Sequence, residues 1–237
     1  MGTGLFGGLT MGNYDIGQFI FYMVALIFSL SVHESAHAWM SNRFGDDLAR
    51  LQGRISLNPM VHVDPIGTLL FPAISFLTHA PLIGWARPTP VNPLKWRDKR
   101  VANFWVSAAG VICNFIIAII SGITIRILWQ TGLIAIGDAG LVPATTESMI
   151  AVGAVELLVT FFTLNVVLGV FNLFPIPPLD GSGILSSLLP DSFGSAIDAL
   201  NQFGYILLFI AAFTGVLRAV FNVVMPAAWY IVFIGAF

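Results

Sequence analysis

The sequence predicts an all-α polytopic membrane protein, with about 4–6 transmembrane helices and a re-entrant or short segment near residues 66–80. Three observations carry that reading. Hydrophobic residues make up 57% of the 237 and charged residues only 9%, where a soluble domain carries roughly 25% charged. Mean hydropathy is +0.89, and several apolar runs reach the roughly 20 residues that a helix needs to cross the bilayer core. The basic residues gather between these runs, as in loops on one side of a membrane. This composition excludes a soluble enzyme, a disordered chain and a disulfide scaffold, the last because Cys113 is the single cysteine. A net charge of −2 with only ten Lys and Arg leaves no footprint for nucleic acid.

The glycine-rich lead over residues 1–13 carries no basic residue, so it lacks the charged start of a secretory signal and reads as a loose terminus. The first span is expected over 16–42. A polar stretch follows over 43–64, with Gly45-Asp46-Asp47 and Leu57-Asn58-Pro59; Asp46 and Asp47 read as solvated turn residues. The apolar piece at 66–77 is too short to cross and holds Pro72, a helix breaker. Basic residues flank it on both sides (Arg43, Arg50 and Arg54 before; Arg87, Lys95, Arg97, Lys99 and Arg100 after), so both flanks are placed in the cytoplasm and the piece is read as re-entrant. Spans at 101–128 and 150–174 follow, joined by a loop over 130–149 with Asp138 and Glu147 but no Lys or Arg. A fourth is expected near 199–217, and 219–237 is apolar but interrupted by Asn222 and Pro226. Nothing marks a second domain, so 1–237 is expected to be one membrane domain with its core at 14–190 and C-terminal helices at 196–237.

Inside the first span lies His33-Glu34-Ser35-Ala36-His37. Residues i and i+4 share a helix face, so the two imidazoles point the same way and can hold one zinc ion. Glu34, about 100° round the helix from His33, is near enough to take a proton from a water on that metal. Ionisable side chains in a membrane helix are expensive and functional by default. Three within five residues call for a compensating partner, and a dication supplies one. At about 1.5 Å rise per residue, His37 lies roughly 9 Å and His33 roughly 15 Å inside the end marked by Arg43. A third protein ligand is required. Met40 and Arg43 stand where a three-histidine HExxHxxGxxH pattern needs Gly and His. The acidic candidates are Asp46, Asp47, Asp64, Glu156 and Asp180, and Asp180 stands out in Asn172-Leu173-Phe174-Pro175-Ile176-Pro177-Pro178-Leu179-Asp180-Gly181.

With both motifs in hand, the chain closely resembles the site-2 proteases, the intramembrane zinc metalloproteases of peptidase family M50. The resemblance implies one Zn2+ held by His33, His37 and Asp180, with Glu34 as general base and Asn172 holding or polarising the substrate carbonyl. Residues 53–67, with His62, Asp64, Pro65 and Gly67, and the loop Gly84-Trp85-Ala86-Arg87-Pro88-Thr89-Pro90-Val91-Asn92-Pro93 resemble the short bacterial branch, which lacks PDZ and CBS domains. Ala109-Gly110-Val111-Ile112-Cys113-Asn114 stands where the family shows AGPxxN, with Val111 replacing the proline. The likeness spans residues 14–190. It implies a transmembrane protein substrate cut within the lipid bilayer, an integral protein of the bacterial inner membrane, and an active site near the cytoplasmic side. The loop at 84–93 and the re-entrant piece are expected to offer an edge for the unwound substrate.

Lesser positions have plainer readings beside these. His62 and Asp64 can orient a ligand histidine or line a water entry, but Asp64-Pro65 also simply opens a turn. His79 reads as a surface residue, and Asn114 as a hydrogen-bond link between spans. The rival functions are a membrane metal transporter, against which no inverted repeat is found, and an inactive relative that binds helices without cutting them.

Overall fold

The computed structural model describes residues 16–78, 84–137, 140–144 and 148–234. The N-terminal lead, His79, Asp138 and Glu147 lie outside the described residues. Five of the helices are long and apolar enough to cross a membrane. One of them, α4 (Lys99–Gln130), sits at the centre and packs against α1 (Ile16–Arg43), α5 (Met149–Asn172), α6 (Asp180–Leu188) and α8 (Val216–Phe233). Its outer face exposes Ile112, Ile116, Ile119, Ile120, Ile123 and Ile127. Water does not tolerate such a stripe, whereas lipid does. The protein is an integral membrane protein.

Helix α1 ends where Gly45 adopts φ +108°, the left-handed position at which a glycine stops a helix with no side-chain penalty. The neighbouring Asp46 corrects the expectation of a solvated turn: it is fully buried. Its carboxylate accepts from Ser41 Oγ, Leu48 N and Asn92 N, and Trp96 Nε1 donates to the same Ser41. The turn is thus riveted to the loop before α4. Asp47 remains partly exposed and pairs with Lys95 at 2.6 Å. That hydrogen bond holds its carboxyl below, and the Lys95 ammonium above, their ordinary ranges.

After the one-turn α2 (Leu48–Leu51) comes a π-helical turn, Pro65–Leu70, that runs directly into α3 (Phe71–Leu77). Pro72 does not break this segment, because it falls in the first turn of α3, where a missing N–H is tolerated. Phe76 stacks on Phe19 at 4.4 Å. The chain then returns beside its own start: Trp85 N donates to Gly67 O at 3.2 Å and Thr68 Oγ1 to Trp85 O at 2.7 Å. The segment is therefore re-entrant in form. Gly67 lies under the Trp85 indole, where an added Cβ would come within 2.3 Å of the ring.

Asp98 caps α4 by accepting from Arg100 N and Val101 N. The loop expected after it holds a two-stranded antiparallel pair, β1 (Ile134–Gly137) and β2 (Gly140–Pro143), with Ile134 opposite Pro143. Buried Ile134 joins a core shared with Ile125, Val155, Phe162, Trp229 and Phe233. The expected fourth span divides differently. Helix α7 (Gly194–Phe213) stops before Gly215, at φ +80°, and Val216 already starts α8. Arg100 donates to Ser187 O and Leu189 O at one end of α4, and Arg126 to Val232 O and Ile234 O toward the other. Between those two clamps α7 and α8 carry the chain from the Lys99 end of α4 toward its Gln130 end.

Candidate metal centre

A bilayer-spanning helix with HExxH spacing presents His33 and His37 on one face, both nearly buried at 6% and 9% exposure. Their Nε2 atoms stand 2.9 Å apart. Asp180, the first residue of α6, brings Oδ2 to 3.3 Å from His33 Nε2 and 3.4 Å from His37 Nε2. Among the described residues these three form a group of ligand atoms within 4.8 Å of one another.

The protons on the rings follow from their other contacts. His37 Nδ1 lies 2.7 Å from Val106 O; a carbonyl only accepts, so Nδ1 donates and Nε2 keeps its lone pair. His33 Nδ1 donates to Asn114 Oδ1 at 2.6 Å, which leaves its Nε2 in the same state. Asp180 Oδ2 is buried without a hydrogen-bond partner. Three electron-pair donors thus converge with no hydrogen between them, a repulsive arrangement that a cation resolves. Two imidazoles and a carboxylate are a donor set that zinc favours. The residues present fit the metal.

Glycines make room for this meeting. An added Cβ on Gly110 of α4 would stand 2.5 Å from His33 Cε1 and from His37 Nε2. One on Gly181 would stand 2.2 Å from Leu173 O, so the turn after α5 closes over α6 only with glycine there. Asn103 Nδ2 donates to Gly183 O at 2.9 Å and fastens α6 to α4, which fixes where Asp180 begins its helix.

Glu34 is partly buried and faces the returning loop. Thr89 N donates to its Oε2 at 2.7 Å and Thr89 Oγ1 to its carbonyl at 2.9 Å. Nearby, Arg54 is buried with Nη1 donating to Val61 O, and Arg87 N donates to His62 O at 2.8 Å. Burial, with Arg87 close by, pulls the Arg54 guanidinium below its ordinary value, and the Glu34 carboxylate opposes that shift.

Other expected positions fall elsewhere. His62 is buried, and its Nε2 donates to Ser56 O at 2.8 Å; Asp64 Oδ1 accepts from Ile66 N and Gly67 N and caps the π-helical turn. Neither orients His33 or His37, because the Nδ1 atoms of those rings are taken by Asn114 and Val106. Asn172 turns its Nδ2 back onto Leu168 O at 3.0 Å. Asn114 does connect helices: its Nδ2 donates to Asn165 Oδ1 on α5 at 2.9 Å. Interhelical hydrogen bonds in membranes average only about 0.6 kcal/mol, so this contact matters more for orientation than for stability. Sequence reasoning missed Thr89, Gly110, Asn165 and Val106. The first three lie in segments that it read for other reasons, and Val106 acts through its carbonyl, which side-chain identity does not report.

Comparison with known proteins agrees with a zinc centre. The sequence model of peptidase family M50 matches residues 21–212. A Bacillus subtilis (strain 168) protein named "Putative zinc metalloprotease YwhC" is 33% identical over 197 residues, covering 83% of this chain and 82% of its own length. Proteins named "Putative zinc metalloprotease Rip2" from Mycolicibacterium smegmatis (strain ATCC 700084 / mc(2)155) and Mycobacterium tuberculosis (strain ATCC 25618 / H37Rv) are each 27% identical. The first aligns over 86% of this chain and 70% of its own length, the second over 82% and 67%. No solved structure matches the chain.

Proposed function

The chain belongs to peptidase family M50, the site-2 protease family, and on that footing we propose that it hydrolyses peptide bonds within the transmembrane segments of other membrane proteins. It is an integral-membrane zinc metalloprotease. The finer reading assigns His33, His37 and Asp180 as the zinc ligands and Glu34 as the general base. The observation that carries it is the convergence of two imidazole Nε2 atoms and an unpartnered carboxylate oxygen inside a helical membrane protein.

Bound zinc supplies Lewis acidity, acidifying a water and drawing charge from the substrate carbonyl. The remaining work falls to the chain. Glu34, adjacent in sequence to His33, accepts the proton from the attacking water and can pass it to the departing amine. Thr89 N–H fixes which way that carboxylate points. Asn172, near the end of α5, is assigned to the substrate carbonyl, a role that requires its amide to leave Leu168 O. A helical substrate hides its carbonyls in its own hydrogen bonds and must open first. The stretch around Ala86–Val91, which forms neither helix nor strand and is held against Glu34 through Thr89, offers a backbone edge for the opened strand.

This reading treats residues 1–237 as one domain and places the site nearer the cytoplasmic face of the bacterial inner membrane. The clustering of basic residues before and after the re-entrant segment supports that placement. The same chemistry suits regulated intramembrane proteolysis. Purified Glu34→Gln should keep its zinc while turnover of a reporter transmembrane peptide falls by at least about 100-fold, the usual scale for loss of a general base. Turnover near wild type would remove Glu34 from the mechanism.

A further inference from the structure

His33 is oriented by more than one partner. Asn114 Oδ1 receives the His33 Nδ1 proton at 2.6 Å. An amide side chain can turn over and present its NH2 instead, so something must hold Asn114 with the oxygen toward His33. That restraint lies on α5. Asn165 Oδ1 accepts from Asn114 Nδ2 at 2.9 Å, which is possible only with the Asn114 oxygen on the histidine side. Asn165 is itself fixed, because its Nδ2 donates to Phe161 O at 2.9 Å and to Ser29 Oγ at 2.8 Å. The Phe161 carbonyl cannot donate, so the Asn165 amide cannot turn over without losing that bond. Ser29 stands one helical turn before His33 on α1, which closes a ring through α1, α5 and α4. Ser29, Asn114 and Asn165 are each 0% exposed, so no solvent competes for any of these positions.

We propose that Asn165 is a positioning residue for the metal centre: through Asn114 it keeps the His33 proton on Nδ1 and the Nε2 lone pair turned toward His37 and Asp180. This rests on the assignment of His33 as a zinc ligand. Directional hydrogen bonds set the tautomer of a metal-binding imidazole, and losing such outer partners costs about 10–100-fold in affinity. Each amide in the ring has one orientation that satisfies its neighbours, and all of them run toward the same histidine proton.

The test is zinc affinity of the full-length protein in detergent, measured by competition with a chromogenic chelator and without reference to activity. His33→Ala serves as the reference; if it binds zinc like wild type, the ligand assignment itself fails. If it loses zinc, Asn114→Leu and Asn165→Leu should each weaken binding by about 10–100-fold, and the double variant should be no weaker than Asn114→Leu alone. Asn165→Asp retains an acceptor for Asn114 Nδ2 although it loses the bond to Phe161 O, and should recover part of the affinity; it also carries the test if the leucine variant does not fold. Imidazole 15N spectra of the metal-free protein should report His33 as the Nδ1–H form in wild type and as a mixture in Asn165→Leu. Wild-type affinity in folded Asn165→Leu, additive losses in the double variant, or Asn165→Asp no better than Asn165→Leu would each overturn the proposal.

Discussion

Thr89 holds Glu34 from two directions, its peptide N–H on the carboxylate at 2.7 Å and its hydroxyl on the carbonyl at 2.9 Å. The loop after the re-entrant segment and the proposed base are therefore one mechanical unit, although 55 residues separate them. Where the loop goes, the carboxylate is steered.

Replacing the N–H and replacing the hydroxyl should have different effects. Thr89→Pro removes the donor to the carboxylate and should lower turnover by about 10–100-fold, the scale for loss of a supporting hydrogen bond, with zinc content unchanged. Thr89→Val keeps the N–H and should stay within about threefold of wild type on the same scale. Steady-state cleavage and metal analysis of the two proteins check this; equal losses would mean that Glu34 needs no such restraint.

Gly110→Ala places a methyl group 2.5 Å from both histidine rings. No rotamer escapes this, because a Cβ has none. Zinc per chain should fall well below that of wild type, although no ligand has been touched, as measured by elemental analysis of purified protein.

Asp180→Ala removes the carboxylate while leaving the imidazole pair, so zinc stoichiometry should drop without loss of the folded protein. Unchanged stoichiometry would send the search for the third ligand elsewhere, and Asp64 is a poor substitute because its Oδ1 is engaged in capping.

Asp46→Ala deprives Ser41 Oγ, Leu48 N and Asn92 N of their shared acceptor. Unsatisfied buried donors cost about 1–3 kcal/mol each, and partial relaxation makes a net loss of about 3 kcal/mol the reasonable expectation. Thermal unfolding in detergent should shift down by about 6–12 °C. The loop that carries Thr89 loses its far anchor, so turnover should fall as well.

What could be read directly from the chain was what depends on local spacing. The His33–His37 pair sits where a helix must put it, and the spans over 16–42, 101–128 and 150–174 differ from the helices by at most a few residues at their ends. Asp180 lies far along the chain, and a carboxylate in a proline-rich turn acquires meaning only from a known family pattern. Asp46 was misread because a Gly-Asp-Asp turn between basic residues resembles any solvated turn; only folding the 92–96 loop onto it reveals the burial. Pro72 misled because the offset of the preceding π turn, which places the proline at a helix start, leaves no mark in composition. Four-residue strands such as Ile134–Gly137 are too short for alternation to stand out.

Helix α4 contributes no side chain to the proposed ligand set, yet it backs the two histidine rings with Gly110 and directs one imidazole with the Val106 carbonyl and the other with the Asn114 amide. The spacing of the histidine rings and the aim of their donors can therefore be retuned from this one rod while the HExxH and LDG signatures stay intact. Relatives that share every signature residue can differ in metal preference through substitutions that a search for those signatures passes over.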